Sequence, residues 1–263
     1  ARCRSQVNVT AEIIAIGNEL LQGDVLDTNS HWLCRTLTGL GAVVQRVTQV
    51  RDERATIAKA VQQVLERRVG LLLTSGGLGP TDDDLTLEAL AAALGRPLVE
   101  DTQAREWVAA TYRRLAAQGY VPSAESTPAR LKMARLPEGA RPLPNRLGAA
   151  PGVYLLAGQT HIICLPGVPA ELKDILSHAS STLLADLLGA GAYVYWQASI
   201  QTGDESLLAP ILHAVVAAHP DVYLKSRARG FGPEARFLVT LAARGCDQAE
   251  ALARIEAAWA SLQ

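Results

Sequence analysis

Short apolar runs alternate with amphipathic stretches over the first hundred residues, and the runs break on glycine. Residues 69–74, VGLLLT, are apolar almost throughout, as a strand covered on both faces must be. TAEIIAIG (10–17) and AVVQRVTQV (42–50) read as two further strands. Between them, Leu33, Leu37 and Leu40 recur at helical spacing after Asn29, a good N-cap, with Gly39 and Gly41 at the far end. Ile57, Val61, Val64 and Leu65 stripe the next helix. Strand–helix alternation predicts an α/β fold on a mostly parallel sheet with right-handed crossovers. In such sheets ligands bind beyond the carboxyl ends of the strands. Glycine-rich breaks after Ile16 and after Thr74 fall at those ends.

Farther along, residues 101–135 read as helical with a break at GYVPSAESTP. VYLLAGQTHIIC (153–164) reads as a hairpin turning near Gly158, and LPGVPAELKDIL (165–176) as a loop entering a helix at Pro169. LLGAGA (187–192) is a candidate linker. Strand, helix, two strands and a helix follow, which predicts a small α+β unit. The expected domains are 8–186 and 187–263.

The break at 71–86, LLLTSGGLGPTDDDLT, sets anion-binding glycines beside aspartates. Gly76, Gly77 and Gly79 let a ligand approach the backbone, and a helix opening near Asp82 would present free N–H groups to phosphate. No lysine follows, which excludes a P-loop, and Asp82 occupies the third glycine of a dinucleotide fingerprint. A divalent cation reconciles the two chemistries. Mg²⁺ takes carboxylate oxygens together with substrate phosphates, so Asp83 and Asp84 are candidate metal ligands. A strand-to-helix turn with capping aspartates remains the structural alternative. The first break carries Glu19, Asp24, Asp27, Thr28 and Asn29. LPNRLGAAPG (143–152) and LPGVPAE (165–171) are further candidate ligand loops.

Other chemistries find little support. There is no G-x-S-x-G, and the five histidines form no metal-spaced pair. The net charge of −1 gives no footprint for nucleic acid or an anionic membrane. No apolar stretch reaches bilayer length, and the first residues lack a hydrophobic signal core. Cys3, Cys34, Cys164 and Cys246 make no C-x-x-C pair, so they read as buried reduced thiols of a cytoplasmic protein.

AEIIAIGNELLQGDVLDTNS, TSGGLGPTDDDLT, NRLGAAPG and LPGVPAEL, in this order, resemble the CinA-like family (competence/damage-inducible protein A). That resemblance implies a three-layer α/β/α sandwich of the molybdopterin-binding type, shared with gephyrin and the MogA, MoaB and MoeA proteins. A small KH-like domain follows. It implies a metal-dependent ADP-ribose pyrophosphatase giving AMP and ribose 5-phosphate, with Mg²⁺ or another divalent cation such as Co²⁺ or Mn²⁺. The alternatives are a non-catalytic molybdopterin or nucleotide binder, and molybdopterin adenylylation. By the resemblance, Gly76, Gly77, Gly79, Pro80 and Thr81 would hold the pyrophosphate, and Asp83 and Asp84 the metal. Glu19, Asp27 and Asn29 match the first ligand loop and Asn145 and Gly148 the third; the general base is either Glu19 or a metal-bound hydroxide. Ala149 stands where the family usually has threonine, which removes one hydroxyl contact. The deamidase region of full-length CinA proteins has no counterpart in these 263 residues, so that activity is not expected. A homodimer acting on a small nucleotide, without nucleic acid or membrane, is the expected setting.

Overall fold

The computed structural model describes residues 9–179, 183–188, 191–201, 205–229 and 236–263. The chain divides into two compact units, one built on Val9–Leu37 and Ala42–Leu187, the other on Leu188–Gln263.

The first unit runs β1 (Thr10–Ile16), α1 (Asn18–Gln22), α2 (Thr28–Gly39), β2 (Val43–Val50), α3 (Arg54–Glu66), β3 (Leu71–Ser75), α4 (Thr86–Leu94) and β4 (Leu98–Glu100). Next come α5 (Thr102–Ala117), α6 (Pro128–Lys132), β5 (Arg135–Pro137), β6 (Arg141–Leu143), β7 (Gly152–Ala157), β8 (Thr160–Leu165), α7 (Pro169–Ala179) and α8 (Ala185–Leu188). Six strands form one sheet in the order β2-β1-β3-β8-β7-β6. The pairs β2–β1, β1–β3 and β3–β8 are parallel, and β8–β7 and β7–β6 antiparallel.

Burial explains the apolar runs. Every residue of β3 and all but the first of β1 are buried, because helices cover both faces. Ile14, Leu72 and Ile162 pack with Ile57, Val61 and Val64 of α3 and Leu90 of α4. By alternation Ile13, Leu73 and Ile163 face the other way. That side matches the buried stripes of α2 (Leu33, Leu37) and α7 (Leu172, Ile175, Leu176). One buried position breaks the pattern: Glu12 of β1 is 2% exposed and bonded to Arg67.

The second unit holds β9 (Ala192–Gln201), α9 (Glu205–Ala218), β10 (Val222–Arg229), β11 (Arg236–Gly245) and α10 (Gln248–Ala260). Its strands form an antiparallel sheet in the order β10-β11-β9. Val222, Phe237, Val239 and Leu241 make its core with Leu208 and Val215 of α9 and Ile255 and Ala258 of α10.

Four sequence expectations need correction. The helix after β3 opens at Thr86 rather than near Asp82, so Asp82, Asp83 and Asp84 lie in the preceding loop. The cap of α2 is Asp27, whose Oδ1 accepts from Ser30 N at 2.8 Å; Asn29 is already helical. The break at 16–30 is not all loop, because Asn18–Gln22 turn into α1. Cys246, expected as a reduced thiol, is disulfide-bonded, whereas Cys34 and Cys164 are free. Spacing along a chain does not reveal cysteines that meet through the fold. Cys3 and part of the candidate linker, residues 189 and 190, lie outside the described residues. No helix among the described residues is long and apolar enough to cross a membrane.

Candidate functional site

The loop leaving β3 is held by contacts that only glycine permits. Gly76 donates its N–H to Leu165 O of β8 at 2.9 Å. Its φ is +108°, and a Cβ there would sit 2.2 Å from Ile16 O of β1. The carboxyl ends of β1, β3 and β8 therefore converge on this one residue. Gly77, at φ +68°, lies against Thr86, whose hydroxyl donates to Gly76 O at 2.8 Å. The loop is thus stapled to the first residue of α4.

Thr81 gathers the aspartates. Its N–H donates to Asp84 Oδ2 at 2.9 Å, and its hydroxyl lies 2.5 Å from both Asp83 Oδ1 and Asp84 Oδ2. A hydroxyl has one proton, so it satisfies one of these carboxylates at a time. The Thr81 hydrogen bond is the main reason the Asp83 carboxyl is held below the usual carboxylate range; the Lys132 charge also lowers it. Lys132 Nζ donates to Thr81 O at 2.5 Å. Asp84 leans over Gly79, where a Cβ would meet its carboxylate. Asp84 is therefore committed to shaping the loop, and Asp83 is the more exposed of the two.

This loop lines a crevice of about 430 Å³ together with Gly17, Glu19, Asp52 and Glu171. Gly17 carries the Glu19 carboxylate directly over its Cα, where a side chain would collide with it. Asp52, just past β2, accepts from Asn18 N at 2.7 Å. Burial pushes its carboxyl above the ordinary 3.8, and the like charges of Glu19 and Asp83 add to the rise. Sequence reasoning missed Asp52, although it sits at a strand's carboxyl end, where the parallel-sheet rule points.

The remaining expected residues do different work. Pro80 lines the crevice. Asp27 caps α2 and accepts from Gln49 Nε2 at 3.1 Å. Asn29 Nδ2 laces two loops, donating to Ser75 Oγ at 3.0 Å and Gly167 O at 2.7 Å, and its Oδ1 is buried without a partner. Asn145 spends its side chain on the third loop. Its Oδ1 accepts from Leu147 N and Gly148 N, and its Nδ2 donates to Ala150 O and to Glu171 Oε2 at 2.7 Å. Gly148 leaves room for that Glu171 carboxylate, and Ala149 and Ala150 form the lining. Asp27, Asn29 and Asn145 thus position loops and do not line the crevice.

An aromatic element was also missed. Tyr112 of α5 and the buried Met133 line the crevice. The Arg130 guanidinium stands 3.8 Å over the Tyr112 ring and is itself fixed by the carbonyls of Ser123 and Glu125. Tyr112 lies far from the glycine loop in sequence, and only the fold brings them together.

Among the described residues no three His, Cys, Asp or Glu side chains converge as an all-protein metal cage requires. The donors fit a different pattern. Mg²⁺ is held by one or two carboxylates plus substrate phosphates, and Asp83 faces the same crevice as the glycine loop.

The raised Asp52 carboxyl has a thermodynamic sign. Between 3.8 and its folded value, the native state binds more protons than the unfolded chain, so ionising Asp52 costs stability as pH rises through that window. Asp52→Asn keeps an acceptor for Asn18 N. It should raise the melting temperature by a few degrees at most at neutral pH, and the gain should shrink toward pH 3.8. A scan of melting temperature against pH checks this; a loss at neutral pH would show that the carboxylate itself holds the loop.

Residues 12–186 match the family described as "Probable molybdopterin binding domain". A crystal structure of CinA from Thermoplasma acidophilum, a protein of unknown function, superposes with a TM-score of 0.61 at 36% identity. It covers 68% of this chain and 98% of that one. A protein of Pyrococcus furiosus is 40% identical over 222 residues, 84% of this chain and 86% of its own length. One of Caldivirga maquilingensis is 39% identical over 251 residues, 94% and 93%. Fold, glycine loop and these likenesses agree: the chain belongs to the family of probable molybdopterin binding domains, and this part of it is CinA-like.

Proposed function

We propose that the first unit binds a phosphorylated pterin or nucleotide in the crevice, molybdopterin being the ligand class named by its family. The observation that supports this reading is the lining itself. Main chain at Gly77 and Gly79 suits a phosphate, and the Tyr112 ring suits a flat heterocycle. Glu19 and Glu171 offer acceptors for ring N–H groups or hydroxyls. A crevice of about 430 Å³ is of ligand size. Calorimetric titration of the full chain with AMP, ADP-ribose and a pterin monophosphate, each with and without Mg²⁺, tests it. Micromolar binding of at least one is expected, and no binding of any would refute the reading.

A second reading is favoured by the carboxylates around the glycine loop: metal-dependent hydrolysis of ADP-ribose to AMP and ribose 5-phosphate. A divalent cation (Mg²⁺, Mn²⁺ or Co²⁺), held by Asp83 with Asp84 behind it, would supply neutralisation of the pyrophosphate charge. Glu19, Asp52 or a hydroxide on the cation would accept the proton of the attacking water; burial raises the Asp52 carboxyl, which strengthens it as a base relative to a free aspartate. The homodimer implied by the resemblance, in a cytoplasmic setting, completes this reading. AMP should appear from ADP-ribose only with added divalent cation. Asp83→Asn should cut its release roughly 100-fold with melting unchanged. No AMP with any of the three cations leaves the protein a binder.

A further inference from the structure

A second cavity of the first unit, of about 530 Å³, lies at the amino ends of β3 and β8. This is the opposite end of the sheet from the glycine loop. Two helices stop at its edge. Leu65 in the last turn of α3, and Ala93 and Leu94 at the end of α4, give it an apolar lining. Arg68 and Arg96 line it too, one from each connection that leaves these helices. Among the described residues no carboxylate lines it.

Arg68 holds an unusual backbone. Its φ is +55°, and it is the only non-glycine residue in the left-handed region among those described. It follows Arg67, the C-cap of α3, and donates its N–H to Leu65 O at 3.0 Å. Helices usually carry glycine at this place, as α4 does with Gly95 at φ +62°. Closing the helix therefore does not call for arginine, and glycine would relieve the backbone. Among the described residues no ion pair or hydrogen bond engages the Arg68 guanidinium either. Arg96 is built in differently. Its Nη1 donates to Glu138 O at 3.1 Å and its Nη2 to Leu156 O at 3.0 Å. Two carbonyls fix the guanidinium without neutralising it, and a guanidinium has further N–H groups to give. The carboxyl ends of the two helices carry partial negative charge, about half a unit each, which two full positive charges outweigh.

We propose that this cavity binds a small organic oxyanion, a carboxylate or phosphate ester on a compact apolar body. The forks of Arg68 and Arg96 meet the charged head, since guanidinium geometry matches both groups. Leu65, Ala93 and Leu94 meet the body, in a space of ligand size. The site is separate from the crevice and uses side chains where the crevice uses main chain. α4 spans the distance between them: Thr86, its first residue, holds the glycine loop, and Leu94, its last, lines the cavity.

The test titrates the full, ¹⁵N-labelled chain with benzoate and, separately, with phenyl phosphate, and follows backbone amide shifts. The amides of Leu65, Arg68, Arg96 and Gly158 should move together and saturate, with a Kd below about 1 mM for at least one probe. The tighter of the two identifies the head group. Benzyl alcohol, the body without the charge, and inorganic phosphate, the charge without the body, should each bind roughly tenfold more weakly or less. Arg68→Gly should lower affinity roughly tenfold to a hundredfold, the worth of a charged hydrogen bond, while melting no lower than the parent. A residue kept for the helix end would show the reverse. Arg68→Gln, which keeps the backbone restriction and removes the charge, should lose as much affinity. No shift at the cavity with either probe would overturn the inference, as would parent-like affinity in both Arg68 variants. Shifts confined to Gly77 and Gly79 would assign the probe to the crevice and likewise remove the second site. Because the two sets of amides are read apart, neither result depends on what the crevice binds.

Discussion

Arg67→Met should destabilise the protein by about 3–5 kcal/mol, the cost of leaving a buried charge without its partner. The charge is Glu12, 2% exposed on β1, which lies between β2 and β3. Arg67 closes α3 and reaches it with two nitrogens, Nε to Oε1 at 2.8 Å and Nη2 to Oε2 at 2.6 Å. The fork replaces the water that the carboxylate loses on burial. Methionine preserves much of the length of the arginine stem but donates nothing. Urea unfolding at neutral pH measures the loss. The double variant Glu12→Leu with Arg67→Met should recover most of it, because an apolar pair of similar size removes the charge as well. A loss under about 1 kcal/mol for the single change would place the pair among weak surface bridges.

Gly76→Ala should cost about 3 kcal/mol or more and abolish ligand binding in the crevice. Two penalties meet at this residue. Its φ of +108° is a conformation that side chains avoid, and the new methyl would lie 2.2 Å from a backbone oxygen of β1. A flexible side chain could swing aside, but Ile16 O belongs to the sheet and cannot. Relief requires β1 and β3 to part at their ends, where the crevice forms. By contrast, Gly148→Ala would collide with the tip of Glu171, which can move at the cost of its bond to Asn145. Thermal melting and the calorimetric titration of both variants, side by side, check the ranking. Equal effects at the two positions would contradict it.

The frame of the first unit was legible because its signals are local. A buried parallel strand must be apolar throughout, so LLLTS announces itself. The stripe of Ile57, Val61 and Val64 repeats with the helical period. The helix after Ser75 was misplaced because acidic residues before an apolar run read as a first turn. In the fold, Thr81 draws Asp83 and Asp84 into a loop of their own, and the helix waits for Thr86. Glu12 gave no warning either: its partner lies 55 residues away, beyond any local pattern. Tyr112 and Asp52 join the site only through sheet topology. Asn29 and Asn145 stood out in the sequence as ligand contacts, and in the fold their amides bond to the loops; amides that fix a loop resemble amides that touch a ligand until their bonds are traced.

The convergence of three strand ends on Gly76 has a further consequence. A chain that has joined β1 to β3 but not yet seated β8, some 90 residues later in sequence, lacks the wall of the crevice built by Pro166, Gly167 and Glu171. Guest molecules should therefore ignore nascent or half-assembled forms and select the finished architecture alone. Occupancy would then act as a late lock on maturation, shielding completed copies from unfolding in proportion to the concentration of whatever they hold.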